Sequence, residues 1–391
     1  MLKKEKQFNT VAAVCMLAFF LTSVSYMPVF TDRGLTQMVS LPSWGLVIIV
    51  ILLRKKLTIC RSDLPLIFSA MVAVAVMITI QTLTGNNYTG SLLTRCMILA
   101  FTMSFLGEFI SASGQVRGKE KLLFSAFIAG TLMLCAVVYF GFLRGQNLNF
   151  LYYAYGSKNE TAMLAATAIV LLLFFNWRDA YTKWQTFFRI VLLTAFTVVI
   201  FLMRCRSVMI GIVLVYAVFF FRKNSNGWMK FAIVAAVVVL IFALQNDRMY
   251  DTFVNGILFG GRDSSDLNAI SSGRVDQIKR GLEKLNENLW VGTGKTRTVD
   301  CFPVSVLMQY GVFLGSAFAL FSLCPLIWGL LNYKKIPEHM AMVLIMCAVV
   351  YVICGIFEEN APFGPGARCF MLWFLWGYLK MQRIEKTEER K

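Results

Sequence analysis

Apolar runs of bilayer-spanning length alternate with short polar connections along almost the whole chain of 391 residues. They fall near 8–27, 38–53, 64–83, 92–111, 122–143, 161–176, 187–203, 207–221, 229–244, 302–331, 340–357 and 365–380. A helix crossing a bilayer needs about 20 mostly apolar residues. Charged residues make up 15% of the chain, against roughly 25% in a soluble domain. The pattern predicts an all-α, polytopic integral membrane protein with about 12 transmembrane helices.

The formal net charge of +17 would suggest nucleic acid as the partner of a soluble protein. Its distribution argues otherwise. With Lys3, Lys4 and Lys6 placed in the cytoplasm, most lysines and arginines fall in every second connection, as in Arg54-Lys55-Lys56, Arg117/Lys119/Lys121, Arg222-Lys223 and Lys334-Lys335. This positive-inside bias sets an orientation and names no partner. Both termini come out cytoplasmic. Residues 1–27 resemble a signal peptide without its small-residue cleavage site, so a retained first helix is expected. Most of the ten cysteines lie inside apolar runs and act there as small apolar residues.

The division follows from this layout. Residues 1–244 carry the first nine spans, 245–301 form the one long loop, 302–380 carry the last three spans, and 381–391 are a charged cytoplasmic tail. The loop falls on the side that the positive charge avoids. Met249, Phe253, Val254, Ile257 and Leu258 share one helical face, and a turn follows at Gly260-Gly261 before the polar stretch Asp263-Ser264-Ser265-Asp266. Ile278, Leu282, Leu285 and Leu289 then mark an amphipathic helix, with Ser272 as its N-cap, Asp276 in its first turn and Val291-Gly292-Thr293-Gly294 at its end. The loop should fold as two helices on the outer surface of the bundle, between the ninth and tenth spans. Spacing alone also fits a lid with no chemistry.

Among the arginines on the disfavoured side, four stand close to the ends of apolar runs or helices: Arg204 and Arg206 in a tight connection, Arg274 at the start of the loop's second helix, and Arg95 one turn inside a span. A single arginine near a bilayer edge often only snorkels to water or lipid phosphate. Four together suit a lipid-linked phosphate or diphosphate, which guanidinium binds bidentately. Carboxylates accompany them: Asp300 where the loop returns to the membrane, and Glu358-Glu359-Asn360 in a loop with Pro362, Gly364, Pro365 and Gly366. An acid beside arginine can simply neutralise it, and its lowered pKa makes it a weak base. It can still orient a hydroxyl. The only histidine, His339, lies in a cytoplasmic connection, and the sequence shows no external His/Cys metal cluster, phosphate-binding glycine loop or Ser-His-Asp set.

Four stretches resemble the O-antigen ligase and polymerase superfamily of bacterial membrane glycosyltransferases. Gly156-Ser157-Lys158-Asn159-Glu160 is similar to a Gly/Asn-bearing start of the middle helices. Arg204-Cys205-Arg206-Ser207 resembles a Ser-Arg-Ser/Thr turn. Ser271-Ser272-Gly273-Arg274, with Trp290 and Gly292-x-Gly294 beyond it, resembles the Ser-Gly-Arg motif of the large periplasmic loop. Asp300-Cys301, running into Leu307-Met308-Gln309-Tyr310-Gly311 and Gly315, resembles the stretch that opens His-Asn in the ligases. Asp300 and Cys301 replace that pair, which favours the polymerase over the ligase.

The resemblance implies a glycosyltransferase without a metal or other cofactor, in the bacterial inner membrane. The donor would be a polysaccharide on undecaprenyl pyrophosphate and the acceptor a repeat unit on the same carrier, with a chain-length regulator as a further partner. Arg206 and Arg274 would hold the pyrophosphate, assisted by Arg204 and Arg95. Asp300 would orient or deprotonate the acceptor hydroxyl, with Glu358 and Glu359 in reserve. The rival chemistry is ligation to lipid A–core. The rival class is a flippase for the same lipid, which should carry its charges deep in a central cavity.

Overall fold

The computed structural model describes residues 10–53, 60, 63–149, 155–177, 183–223, 225–262, 265–294, 299–364 and 369–388. Among them every element is helical. In chain order these are α1 (Thr10–Val24), α2 (Pro28–Thr31), α3 (Thr36–Leu53), α4 (Leu64–Thr84), α5 (Leu92–Ala112), α6 (Glu120–Val138, continued by a π-helical turn over Tyr139–Leu143), α7 (Lys158–Phe174), α8 (Lys183–Leu202), α9 (Arg206–Phe221), α10 (Gly227–Ala243), α11 (Asp247–Tyr250, continued by a π-helical segment over Asp251–Leu258), α12 (Leu267–Ile270), α13 (Arg274–Glu287), α14 (Phe302–Leu331), α15 (Glu338–Phe357) and α16 (Phe370–Glu388). A helix lies on each expected apolar run, with 8–9 and 365–368 outside the described residues. Seven helices are long and apolar enough to cross a membrane: α3, α4, α5, α6 with its π-helical turn, α8, α14 and α15. An eighth is possible if α10 and the segment Asp247–Leu258, bent by 112° between them, form one broken span. Of the basic groups that set the sequence-based orientation, Lys3, Lys4, Lys6 and Arg54-Lys55-Lys56 lie outside the described residues.

Burial sorts the helices by what surrounds them. In α7 every residue from Thr161 to Phe174 is buried. A helix apolar on all faces belongs in the middle, and α7 packs against α6, α8, α9 and α15. At the other extreme, α4 buries only Met77 and α10 only Met229. Their exposed Phe68, Met71, Phe231 and Phe242 form a surface far too apolar for water, which is the condition of a helix facing lipid.

Between α5 and α16 the backbones come very close. A Cβ on Gly107 would meet the Phe374 carbonyl, and one on Gly377 the Ser104 carbonyl. Small residues permit this approach in membrane helix pairs. The pair is locked where α16 leaves the core. Lys380 Nζ lies 2.7 Å from both Asp63 oxygens and 2.8 Å from Glu108 Oε1, with all three side chains buried. Cys60 joins the two acids in one cluster, and the Lys380 ammonium supplies the positive charge such a cluster needs.

Helix α14, expected as one uninterrupted span, is broken at Gly311 (φ 74°, ψ 176°). The strand of chain that follows α13 fills the break. Thr293 and Gly294 N–H donate to the carbonyls of Met308 and Gln309, and Val312 N–H donates to Leu289 O. These bonds pair the Met308 and Gln309 carbonyls and the Val312 N–H, groups that a nonpolar surrounding would otherwise leave at a cost. On the other side Tyr310 Oη bonds Ser91 Oγ (3.0 Å) and Thr94 Oγ1 (2.6 Å), tying the broken helix to the start of α5.

Within the long loop the two expected helical segments are present, with changed ends. The N-cap of α13 is Gly273, left-handed at φ 78°, and not Ser272, whose hydroxyl is turned to arginines instead. The helix stops at Glu287, before the expected Val291. Ile278 packs with Val299, Cys301, Val304 and Met308, and Gly281 fits against Val299 and Val304, so α13 lies on the first turns of α14. Leu282 and Leu289 of the expected apolar stripe stay exposed. Asp263-Ser264 lies outside the described residues. Cys301 and Cys369 are both buried free thiols.

Gly311 is the most exacting position of this arrangement: a Cβ there would lie 2.1 Å from the Trp290 carbonyl oxygen. Gly311→Ala combines left-handed strain with that overlap, and should cost about 2 kcal/mol or more. Thermal unfolding in detergent should show a clearly lowered midpoint, with Gly114→Ala, where a Cβ has open space despite a similar φ, as the control that isolates the overlap.

Candidate active site

The central helix α7 delivers its first residues to the end of the bundle where the long loop sits. Three helices begin at that end with a cation: Lys158 opens α7, Arg206 opens α9 and Arg274 opens α13. The residues just before α7 and α9 offer no side-chain cap, whereas in the first turn of α13 the Val275 and Asp276 N–H groups donate to Ser271 Oγ (3.3 Å) and Asn268 Oδ1 (3.2 Å). A helix N-terminus carries partial positive charge and free N–H groups, so it disfavours a cation and attracts an anion. Three such ends, each starting with a positive side chain, concentrate charge in one place.

Contacts among these residues form one connected set. Arg206 donates to Leu258 O (3.3 Å), Ile270 O (2.5 Å) and Ser272 Oγ (2.9 Å), so it pins the loop's helical segments to α9. Arg262 donates to Ala269 O (3.0 Å) and to the same Ser272 hydroxyl. Arg204, left-handed at φ 51° and buried, donates to Asn147 O (2.9 Å). Burial is the main force that lowers the Lys158 pKa; the charges of Arg206, Arg204 and Arg274 add to it, and Cys205 opposes it. Burial likewise opposes the charge on Arg206, followed by Arg262 and Arg274.

The carboxylates meet Arg274. Its Nε is 3.8 Å from Asp300 Oδ2 and its Nη2 is 4.0 Å from Glu358 Oε1. Charge-assisted hydrogen bonds are about 2.7–2.9 Å long, so both acids balance the guanidinium without clamping it. The buried Nε has no hydrogen-bond partner among the described residues. Glu358 is held from behind by Asn159 Nδ2 (2.6 Å), and Asn159 Oδ1 accepts from the Cys205 thiol (3.3 Å). The Asp300 N–H donates to Gln277 Oε1 (3.1 Å). Glu359 behaves opposite to the sequence expectation for an acid among arginines: burial first, then the nearby Asp300 charge, raise its pKa.

The structure thus gathers Arg204, Arg206, Arg274, Asp300, Glu358 and Glu359 at one end of the bundle. Arg95 is exposed on the flank of α5, and none of the described contacts of the cluster includes it. His339 is far away, at the opposite end of α15 from Glu358 and beside the Phe175 ring. Pro365 and Gly366 of the last loop lie outside the described residues. Sequence reasoning missed four participants. Lys158 and Asn159 stood in a stretch noted only for its resemblance. Arg262 follows the Gly260-Gly261 turn and gave no periodic signal. Ser272 was read as a cap.

Five positive side chains and three carboxylates can hold a multiply charged anion and orient a hydroxyl next to it. No protein-family model matches the sequence, and no characterised protein aligns with it significantly.

The raised pKa of Glu359 yields a signed pH effect. A carboxyl raised in the fold lends its full stability below its unfolded value and loses it as pH climbs through the folded one. Glu359→Gln should therefore raise the melting temperature at about pH 8 and leave it nearly unchanged at about pH 4. Paired unfolding curves at the two pH values check this; equal shifts at both would trace the gain to packing and not to charge.

Proposed function

We propose that the protein is an O-antigen polymerase, a glycosyltransferase that joins oligosaccharide repeat units carried on undecaprenyl pyrophosphate. The observation that carries this reading is the Arg274 guanidinium: buried at Nε without an acceptor, within 4.0 Å of two carboxylates, and set among Lys158, Arg204, Arg206 and Arg262. A diphosphate that links a lipid and a sugar bears two negative charges, and a site with five cations and three acids is matched to it. The chain would span the bacterial inner membrane about twelve times, with both termini cytoplasmic and the cluster on the periplasmic face.

In this reading the sugar hydroxyl of the acceptor attacks the anomeric carbon of the donor. The bond from that carbon to the diphosphate oxygen breaks, and the lipid diphosphate leaves with the electron pair. Charge grows on the leaving group, so fixed cations next to it stabilise the transition state more than the ground state. Arg206 and Arg274 hold the diphosphate, with Arg204 beside them. Asp300, half exposed next to Arg274, receives the hydroxyl proton; Glu358 and Glu359 stand next to it. A chain-length regulator would act from outside this site.

Two features favour polymerisation over its rivals. A ligase of this superfamily is expected to use a histidine at the position of Asp300, and His339 sits at the other end of the bundle. A flippase should carry its charges deep along a path between the two faces, whereas these gather at one end, where three helices begin.

Arg206→Ala and Arg274→Ala should each remove about 3 kcal/mol or more of transition-state stabilisation, the size known for a single oxyanion-hole donor. A deletion strain complemented with either variant should insert the protein normally and show lipopolysaccharide with a single repeat and no long chains on a gel. Loss of every repeat would point instead to ligation or flipping, and unchanged long chains in both variants would refute the assignment.

A further inference from the structure

At the end of α7 opposite Lys158, a second feature has no part in the chemistry above. A cavity of about 450 Å³ opens between α6, α7 and α8, within the range of roughly 300–1,000 Å³ that small-molecule sites occupy. Ile128, Leu132, Leu172 and Leu192 give it apolar walls, and Gln185 and Arg189 bring an amide and a guanidinium to it. Arg189 is 8% exposed and donates to the Leu172 carbonyl. A buried guanidinium on the wall of an apolar slot is costly in a membrane helix and marks a functional position.

The surroundings define what could enter. Trp184, Phe187 and Phe188, in the first two turns of α8, are all largely exposed, as aromatic side chains are at the headgroup level of a bilayer. Trp177 also lines the cavity and is fixed by donating to Leu171 O (3.0 Å). Exposed Leu132 and Phe188 place the opening on the outer surface of the bundle, so an occupant comes from the lipid phase. Its body must be apolar and its head must suit a guanidinium, whose planar fork fits a phosphate. Basic pockets between membrane helices take anionic lipid headgroups in this way.

We propose that this cavity binds one anionic phospholipid, with an acyl chain along the walls formed by α6 and α8 and the phosphate at Arg189 and Gln185. The site is separate from the arginine cluster and does not depend on the reaction assigned there.

The test is native mass spectrometry of the full chain in detergent, titrated in turn with dioleoyl phosphatidylglycerol, dioleoyl phosphatidylcholine and inorganic phosphate. One phosphatidylglycerol per chain should be retained in preference to phosphatidylcholine, and inorganic phosphate should not displace it. Arg189→Gln should weaken retention roughly tenfold, the effect of losing one charge-assisted hydrogen bond. Ala129→Trp, at an exposed position of the cavity wall, should fill the slot without disturbing the core and weaken retention as much; it carries the test alone if the arginine variant does not fold. Retention unchanged in the filled variant, equal retention of phosphatidylcholine, or displacement by inorganic phosphate would each overturn the proposal, the last by identifying a site for free phosphate.

Discussion

Mutual repulsion among Lys158, Arg204, Arg206, Arg262 and Arg274 is the constraint around which one end of this molecule is built. Two unit charges about 4 Å apart interact by about 4 kcal/mol at an effective dielectric near 20, so such a group stays together only if the chain supplies acceptors. It does so with backbone carbonyls. Leu258, Ile270, Ala269 and Asn147 each accept from one of the arginines. Asp300 and Glu358 lie at ion-pair distance from Arg274. The loop is therefore held down by the cations that form the site.

Rigid supports stand behind this end. Lys158 and Asn159 extend from α7, which is enclosed along its whole apolar length, so their backbone has little freedom to drift. From α13 the chain returns into the break of α14, where Gly292 and Gly311 let two backbones meet at distances that any side chain would forbid. Tyr310, just before the break, is held by Ser91 and Thr94 of the α5 start. Arg274 and Asp300, at the two ends of the 274–300 stretch, are thereby fixed relative to the bundle. Preorganisation of this kind makes fixed charges effective, because nothing has to reorient when negative charge develops.

How far the sequence could be read depended on whether a signal was local. The apolar runs were unmistakable, and helices lie on all of them, since the length of an apolar run is a one-dimensional property. The stripe of Ile278, Leu282 and Leu285 marked α13 for the same reason. Ser272 was misread because serine ahead of an acidic first turn normally caps a helix; here an arginine 66 residues away in the chain takes its hydroxyl. The break at Gly311 was invisible, because a glycine within an apolar run looks the same whether or not another segment pushes into it. An acid among arginines is expected to lean toward its ionised form, but burial and then the Asp300 charge push the Glu359 pKa up.

The amino-acid sequence alone determined that this chain is helical, that its helices are too apolar for water, and that arginines and acids cluster between particular runs, because composition and period are written residue by residue. Only the tertiary structure decided which of those charges meet. Arg206, Arg262, Arg274, Lys158 and Asn159 lie more than a hundred residues apart at the extremes, and Arg95, an assisting candidate on paper, is left outside. Proximity across such separations is set by how α7, α9 and α13 pack, and packing depends on the fit of all the helices at once rather than on any one of them.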